Sequence, residues 1–119
     1  MKILLPILAV GCGSALGGIA RYIISTWVDA KWSHHLPLGT ILVNIIGCFI
    51  IGFLAEFAAE QDHWIRDEHF RLLFLVGVLG GFTTFSSFSL QTLQLMQDGL
   101  WASAILNIFL SVLFCMISV

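Results

Sequence analysis

Gly80-Gly81-Phe82-Thr83-Thr84-Phe85 interrupts an apolar segment that otherwise has the length of a membrane-spanning helix. Two adjacent glycines followed by two β-branched threonines make a poor α-helix. A break at this depth would free backbone carbonyl groups, which protein, water or an ion must then satisfy. The stretch therefore predicts a broken helix of the kind that ion-handling proteins use. A continuous helix with small residues for packing is the alternative.

The rest of the chain has the composition of a membrane protein. Its 119 residues are 59% hydrophobic and only 10% charged, whereas about a quarter of the residues in a soluble domain carry charge. A bilayer core about 30 Å thick needs roughly 20 apolar residues per helix. The chain length therefore provides for four spans and no additional soluble domain. The net charge of −2 gives no basis for binding nucleic acid.

Polar links divide the chain into four predicted spans within one transmembrane domain, residues 1–119. The second link carries most of the charge, and Asp98-Gly99 predicts a tight turn before the last span. The predicted fold class is an all-α membrane protein with a broken third helix. The expected spans are residues 3–28, 39–59, 72–96 and 100–119.

The basic residues give only a weak signal for orientation in the membrane. Four spans place Lys2, Arg66 and Arg71 on one side. Lys31 lies on the other side, together with Arg21 if it reaches the interface. Because basic residues concentrate on the cytoplasmic side, this distribution favours one topology only slightly. Two expectations stay open: a single topology, or insertion both ways round, which would allow opposed copies to pair as an antiparallel dimer.

Polar side chains in the first two spans are candidates for a functional site. Arg21 lies deep in an apolar run, where a guanidinium is costly unless it reaches the interface or lines water. It is therefore either an interfacial anchor or part of an entrance that attracts anions. In the second span, Thr40 and Asn44 share a helix face. The Asn44 amide can donate two hydrogen bonds, either to another helix or into a wet path.

Aromatic and polar positions in the last two spans extend the candidate site. Phe85 and Phe88 project from similar faces. They are either packing residues or present the positively polarised edges of their rings to a small anion. In the fourth span, small polar residues recur at intervals of four, which indicates either a hydrophilic track or interhelical hydrogen bonding. These residues are Ser103, Asn107, Ser111 and Cys115.

No pattern in the sequence supports catalysis. There is no set of nucleophile, base and acid, no phosphate-binding loop and no pair of carboxylates inside a span. The cysteines Cys12, Cys48 and Cys115 lie in apolar stretches without CxxC spacing. They are expected to be packing residues rather than a disulfide or a zinc site. We therefore expect the protein not to be an enzyme.

Three ordered motifs resemble the CrcB/Fluc family of fluoride channels. They are GGIARY at residues 17–22, GTILVN at residues 39–44, and GVLGGFTTFSSFS at residues 77–89. The resemblance extends over essentially the whole chain. It implies a fluoride-selective channel in the bacterial plasma (inner) membrane. Such a channel exports fluoride passively from the cytoplasm and so lowers its concentration and toxicity.

The resemblance also implies an assembly and an ion. Family members are dual-topology homodimers of antiparallel four-helix subunits in the lipid bilayer, with a sodium ion that is structural and not transported. Here the backbone carbonyls of Gly80 and Thr83 would coordinate the sodium. The pore residues that the resemblance implies, with Thr40 grouped among them because it shares a face with Asn44, are Asn44, Phe85, Phe88, Ser111, Arg21 and Thr40.

The chain departs from the family pattern at three positions. Asn107 stands where a tyrosine is common, Cys115 where a serine is, and Gln91 where some members have glutamate. These differences affect the expected conductance rather than the ion. The alternative function is a small four-helix multidrug or cation exporter, which needs a carboxylate deep in its first helix. The first span has no such residue.

Overall fold

The computed structural model describes residues 3–32, 35–60 and 67–119, and in these residues the regular secondary structure is entirely helical. Helix α1 is Leu4–Lys31 and helix α2 is Leu38–Glu60. The last helix is Trp101–Ser118. It is labelled α6 because the third span, described next, contains the helices α3 to α5. Lys2 and Arg66, which entered the orientation argument, lie outside the described residues.

The third span is assembled from four consecutive helical pieces. It begins with the short helix α3, Glu68–Phe70, and the π-helical segment Arg71–Leu79. Helix α4, Gly80–Phe82, and helix α5, Phe85–Gln97, follow. The sequence did not predict the π-helical turns, because residues 72–79 are apolar or glycine throughout and show no period that could separate a π-helix from an α-helix.

The two threonines between α4 and α5 have extended backbones. Thr83 has φ −84° and ψ 158°, and Thr84 has φ −154° and ψ 120°. Both side chains are β-branched, which favours this conformation over the helical one. The helical backbone therefore stops at Phe82 and resumes at Phe85.

Four helical stretches within the described residues are long and apolar enough to cross a membrane. At most 28% of the residues in any of their apolar windows are buried inside the subunit, so most side chains face outward. The chain is a multi-pass, all-α membrane protein, as the composition predicts. The stretches are Leu4–Lys31, Leu38–Phe57, Glu68–Gln97 and Trp101–Ser118. The first extends three residues beyond its expected end at residue 28.

Glycines bring α1 against the first half of the third span. Gly13 and Gly17 are buried, and a Cβ on Gly13 would lie 2.9 Å from the Cα of Gly77. A Cβ on Gly17 would overlap the carbonyl oxygen of Val78. Backbone therefore packs directly on backbone here, as small residues allow in membrane helices.

Helices α2 and α6 form the second close pair and run parallel, so that Gly52 of α2 lies against Val119 at the end of α6. The Ser118 hydroxyl, at the end of α6, donates to the Ile45 carbonyl of α2 at 3.3 Å. Gly99 joins α5 to α6 with a φ of 77°, a conformation that glycine adopts without steric cost. At the other connection, the Gly39 amide donates to the Asp29 carboxylate at 2.7 Å and ties the start of α2 to the end of α1.

Candidate functional site

Asn44 of α2 holds the interruption of the third span open. Its Nδ2 donates to the Thr84 carbonyl at 3.0 Å, and its Oδ1 accepts from the Thr84 amide at 2.8 Å. Both backbone polar groups of Thr84 are thereby satisfied by one side chain. Because buried backbone groups must be paired, the carboxamide oxygen replaces the acceptor that a continuous helix would offer to the Thr84 amide.

The interruption redirects two amides away from two carbonyls. In an unbroken α-helix each amide donates to the carbonyl four residues earlier, so Thr84 would donate to Gly80 and Ser87 to Thr83. Instead, the Thr84 amide donates to Asn44, and the Ser87 amide donates to the Thr84 hydroxyl at 3.1 Å. The carbonyls of Gly80 and Thr83 thus lose their usual helical donors. They are the two carbonyls expected to bind sodium.

Hydroxyl groups and one guanidinium gather at the start of α5. The Thr84 hydroxyl lies 3.2 Å from that of Ser86 and donates to that of Ser87 at 3.1 Å. On the other side, Nη1 of Arg21 donates to the Ser87 hydroxyl over 3.4 Å. The Nε of Arg21 is buried, with no hydrogen-bond partner among the described residues. Arg21 therefore lies against the first turn of α5, next to the interruption.

A cavity of about 480 Å³ opens between α2, the third span and α6. Six of the eight candidate site residues line it, whereas Arg21 and Thr40 do not. Thr40 is buried in the first turn of α2. The residues on the wall are Asn44, Gly47, Cys48, Ile51, Leu75, Leu79, Gly80, Thr83, Thr84, Phe85, Phe88, Ser111, Val112, Cys115 and Met116.

The two phenylalanines at the cavity form a tilted pair. Their ring centroids are 5.3 Å apart and the ring planes meet at 52°. Phe88 is half-buried, but Phe85 is 78% exposed. Packing inside this subunit therefore does not explain Phe85, whose ring stands beside the interruption with most of its surface free.

The polar stripe of the last helix divides into two parts. Asn107 is completely buried and donates to the Thr92 hydroxyl of α5 at 2.8 Å. The Thr92 hydroxyl in turn donates to the Phe88 carbonyl at 2.7 Å. The Ser111 hydroxyl lies 3.5 Å from Oδ1 of the Asn107 side chain, to which it donates, and Ser111 and Cys115 line the cavity. Asn107 thus forms a hydrogen bond between α6 and α5. Ser111 and Cys115, one and two turns later on α6, face the cavity.

A family model described as CrcB-like protein, Camphor Resistance (CrcB), matches residues 8–119. The chain belongs to the CrcB family. The resemblance found in the three motifs is thereby confirmed.

Similar proteins that carry the name fluoride-specific ion channel FluC occur in several bacteria. The chain is 46% identical to that of Methylocella silvestris over 107 residues, 90% of this chain and 82% of the relative. It is 47% identical to the Nitratiruptor protein over 108 residues, 90% and 80% of the two chains. It is 43% identical to the Opitutus terrae protein over 112 residues, 94% and 85%.

Two further residues of this CrcB chain belong to the site although neither was predicted as a site residue. Thr84 lies inside the GGFTTF stretch, but no pattern tells which threonine Asn44 would hold. Gly47 makes room for the third span, because a Cβ there would overlap the Cγ2 of Thr83. Its spacing of three residues from Asn44 puts both on a similar face, and Gly47 also belongs to the residues that carry the family resemblance.

Proposed function

We propose that the chain is the subunit of a fluoride-selective channel that lets fluoride leave the bacterial cytoplasm through the inner membrane. The observation that carries this proposal is the interruption at Thr83 and Thr84, held by Asn44 beside the exposed ring of Phe85. It combines amide donors and ring edges inside a span. The name of the relatives, fluoride-specific ion channel, supports the same ion.

Neutral donors suit passage of a small anion. One Nδ2 proton of Asn44 is engaged by the Thr84 carbonyl, and the second remains to donate to fluoride. The edges of Phe85 and Phe88 offer partial positive charge that replaces part of the hydration shell. Because none of these groups carries a full charge, the anion is bound weakly enough to leave again.

Ser111 and Arg21 have supporting roles in this proposal. The Ser111 hydroxyl is 3.5 Å from Asn107, longer than the ordinary hydroxyl hydrogen bond of 2.5–3.0 Å, so it can rotate toward an ion in the cavity. Arg21 does not line the cavity, yet it reaches Ser87 at the start of α5. From there its charge raises the local concentration of anions without binding one in the path.

The working unit is proposed to be an antiparallel homodimer with dual topology. Phe85 is 78% exposed and Gly80 is also exposed, so the interruption and its aromatic partner lie on an open face of the subunit. A second copy would cover this face. The weak orientation signal of the basic residues is compatible with copies that insert in opposite directions.

A structural sodium ion fits the same interruption. The Gly80 and Thr83 carbonyls have lost the amide donors of a continuous helix, and hard oxygen ligands suit a hard cation. When bound, sodium would supply the positively charged partner that these carbonyl oxygens lose together with their amide donors. Two opposed subunits would together offer four such carbonyls. The ion is held and not transported.

Ion efflux from proteoliposomes tests the channel. Vesicles of bacterial polar lipid are loaded with potassium fluoride or potassium chloride and treated with valinomycin, so that anion movement becomes rate-limiting. We expect fluoride efflux that exceeds chloride efflux by orders of magnitude. Absence of fluoride efflux from correctly folded protein would refute the proposal. Efflux of an organic cation driven by a pH gradient would instead favour the exporter.

A further inference from the structure

Two thiols meet on the wall of the cavity. The side chains of Cys48, on α2, and Cys115, on α6, are neighbours across the two helices, and both line the open space. Each is half-buried and free of any disulfide. Cys48 lies one turn beyond Asn44, and Cys115 lies one turn beyond Ser111.

The register of the two helices accounts for this contact. The two helices run parallel, and a Cβ on Gly52 of α2 would overlap the carbonyl oxygen of Val119 at the end of α6. Moving four residues back along both helices, about one turn, leads to Cys48 and Cys115. The meeting of the two sulfurs is therefore set by the packing of two long helices rather than by a flexible loop.

We propose that Cys48 and Cys115 form a binding site for a soft d10 cation: Cu⁺, Ag⁺ or Hg²⁺. Such ions prefer thiolate sulfur to oxygen. They also accept two ligands in a linear arrangement, so a pair of thiols is sufficient. The described residues contain no group of three His, Cys, Asp or Glu side chains that would favour a harder or tetrahedral ion.

Binding is an exchange of protons for the metal. For the mercuric ion, two S–H bonds break, two Hg–S bonds form, and two protons pass to water, with no change in oxidation state. Because thiolate is the ligand, binding is coupled to this proton release. The bound ion would tie α2 to α6 one turn away from Asn44 and Ser111.

A consequence for transport rests on the proposed function. If fluoride passes through this cavity, a metal bridging its wall narrows the path. Two thiolates neutralise the mercuric ion and leave the Cu⁺ or Ag⁺ complex with a single net negative charge, which repels a passing anion. Soft cations would therefore inhibit fluoride efflux, although neither cysteine is needed as a donor in the proposed path.

Replacing the third cysteine, Cys12, allows the pair to be tested alone. Cys12 is exposed on α1 and does not line the cavity. The C12S variant leaves only the pair, and C12S/C48S and C12S/C115S each leave a single thiol. C12S/C48A serves as a second version in case serine disturbs the helix contact.

Mercury binding is measured first. Purified C12S protein is treated with mercuric chloride and passed through a desalting column in buffer with glutathione, and retained mercury is counted by mass spectrometry. We expect one mercury ion per subunit and loss of both thiols to Ellman's reagent. The single-thiol variants should release their mercury to glutathione. Equal retention by C12S and the single-thiol variants would overturn the site.

Fluoride efflux is measured on the same preparations, as the ratio of treated to untreated rate for each variant. We expect mercuric chloride to lower efflux about tenfold in C12S, with recovery on adding a dithiol, and less than about twofold in the single-thiol variants. Retained mercury with unchanged efflux would overturn the inhibition. If untreated protein passes no fluoride, the proposed function fails, while the mercury count still decides whether the site exists.

Discussion

The carboxamide of Asn44 pairs with both backbone polar groups of Thr84, at 3.0 Å to the carbonyl and 2.8 Å from the amide. The two residues are 40 positions apart in the chain, so helix α2 must be in place before the interruption of the third span is satisfied. The interruption is thus a product of tertiary structure, and local helix propensity only permits it.

Replacing Asn44 by alanine should therefore affect stability as well as transport. The Thr84 amide would lose its acceptor, at a cost of about 1–3 kcal/mol if the group stays buried, and the Thr84 carbonyl would lose one of its two donors. We expect a lower melting temperature by circular dichroism and loss of fluoride efflux. An unchanged melting temperature would contradict the bracing role of the Asn44 side chain.

Replacing Phe85 by isoleucine should reduce fluoride efflux about tenfold or more, because the aliphatic side chain has no polarised ring edge. Stability should change little, since Phe85 is 78% exposed in the subunit. Phe109, which is 58% exposed on α6 and does not line the cavity, is the matched control. If F85I and F109I conduct equally, the Phe85 ring is not in the path.

The buried pair of Thr92 and Asn107 should show energetic coupling. T92V leaves the Asn107 amide without its acceptor and should destabilise the protein by about 1–3 kcal/mol. The double variant T92V/N107L removes both polar groups. Its loss of stability should be smaller than the sum of the losses in T92V and N107L by about 0.5–3 kcal/mol. Additive losses in thermal unfolding would show that the 2.8 Å contact contributes little.

The glycine contact of α1 offers a comparison between neighbours. A Cβ on Gly17 would overlap the Val78 carbonyl, whereas a Cβ on Gly18 meets no atom within 4 Å. G17A should destabilise the protein by about 1–3 kcal/mol through overpacking. G18A should be neutral or slightly stabilising, because alanine favours the helix. Similar melting temperatures for the two variants would argue against backbone contact at Gly17.

Removal of sodium should weaken the proposed assembly. Protein purified in N-methylglucamine salts is expected to melt at a lower temperature than protein in sodium salts, because a ligand bound only by the folded state stabilises it. Potassium salts serve as the control for ionic strength. Melting temperatures that do not respond to sodium would exclude a stabilising ion at the Gly80 and Thr83 carbonyls.

Hydropathy and helix propensity predict the spans well, but they do not predict pairing between side chains. The position of the helix interruption can be predicted from Gly80, Gly81 and the two threonines alone. That Asn44 would brace Thr84 depends on the rotation of α2 about its axis, which a short polar pattern does not specify. The burial of Asn107 could not be predicted either, because a polar stripe has the same sequence pattern whether it faces a neighbouring helix or open space.

The π-helical segment and the Arg21 contact were beyond prediction for another reason. The segment Arg71–Leu79 is apolar or glycine at every position after Arg71, so it shows no period that could separate a π-helix from an α-helix. Arg21 was expected either at the interface or at an entrance. Its contact with Ser87 arises because Gly13 and Gly17 bring α1 close to the third span.

The interruption at Thr83 and Thr84 also divides the macrodipole of the third span into two. A helix carries roughly half a positive elementary charge at its first turn and half a negative one at its last. The end of α4 at Phe82 is therefore a negative pole, and the start of α5 at Phe85 is a positive pole. Inside a bilayer, a few residues present both signs of electrostatic potential through peptide dipoles alone, without an ionised side chain on the cavity wall.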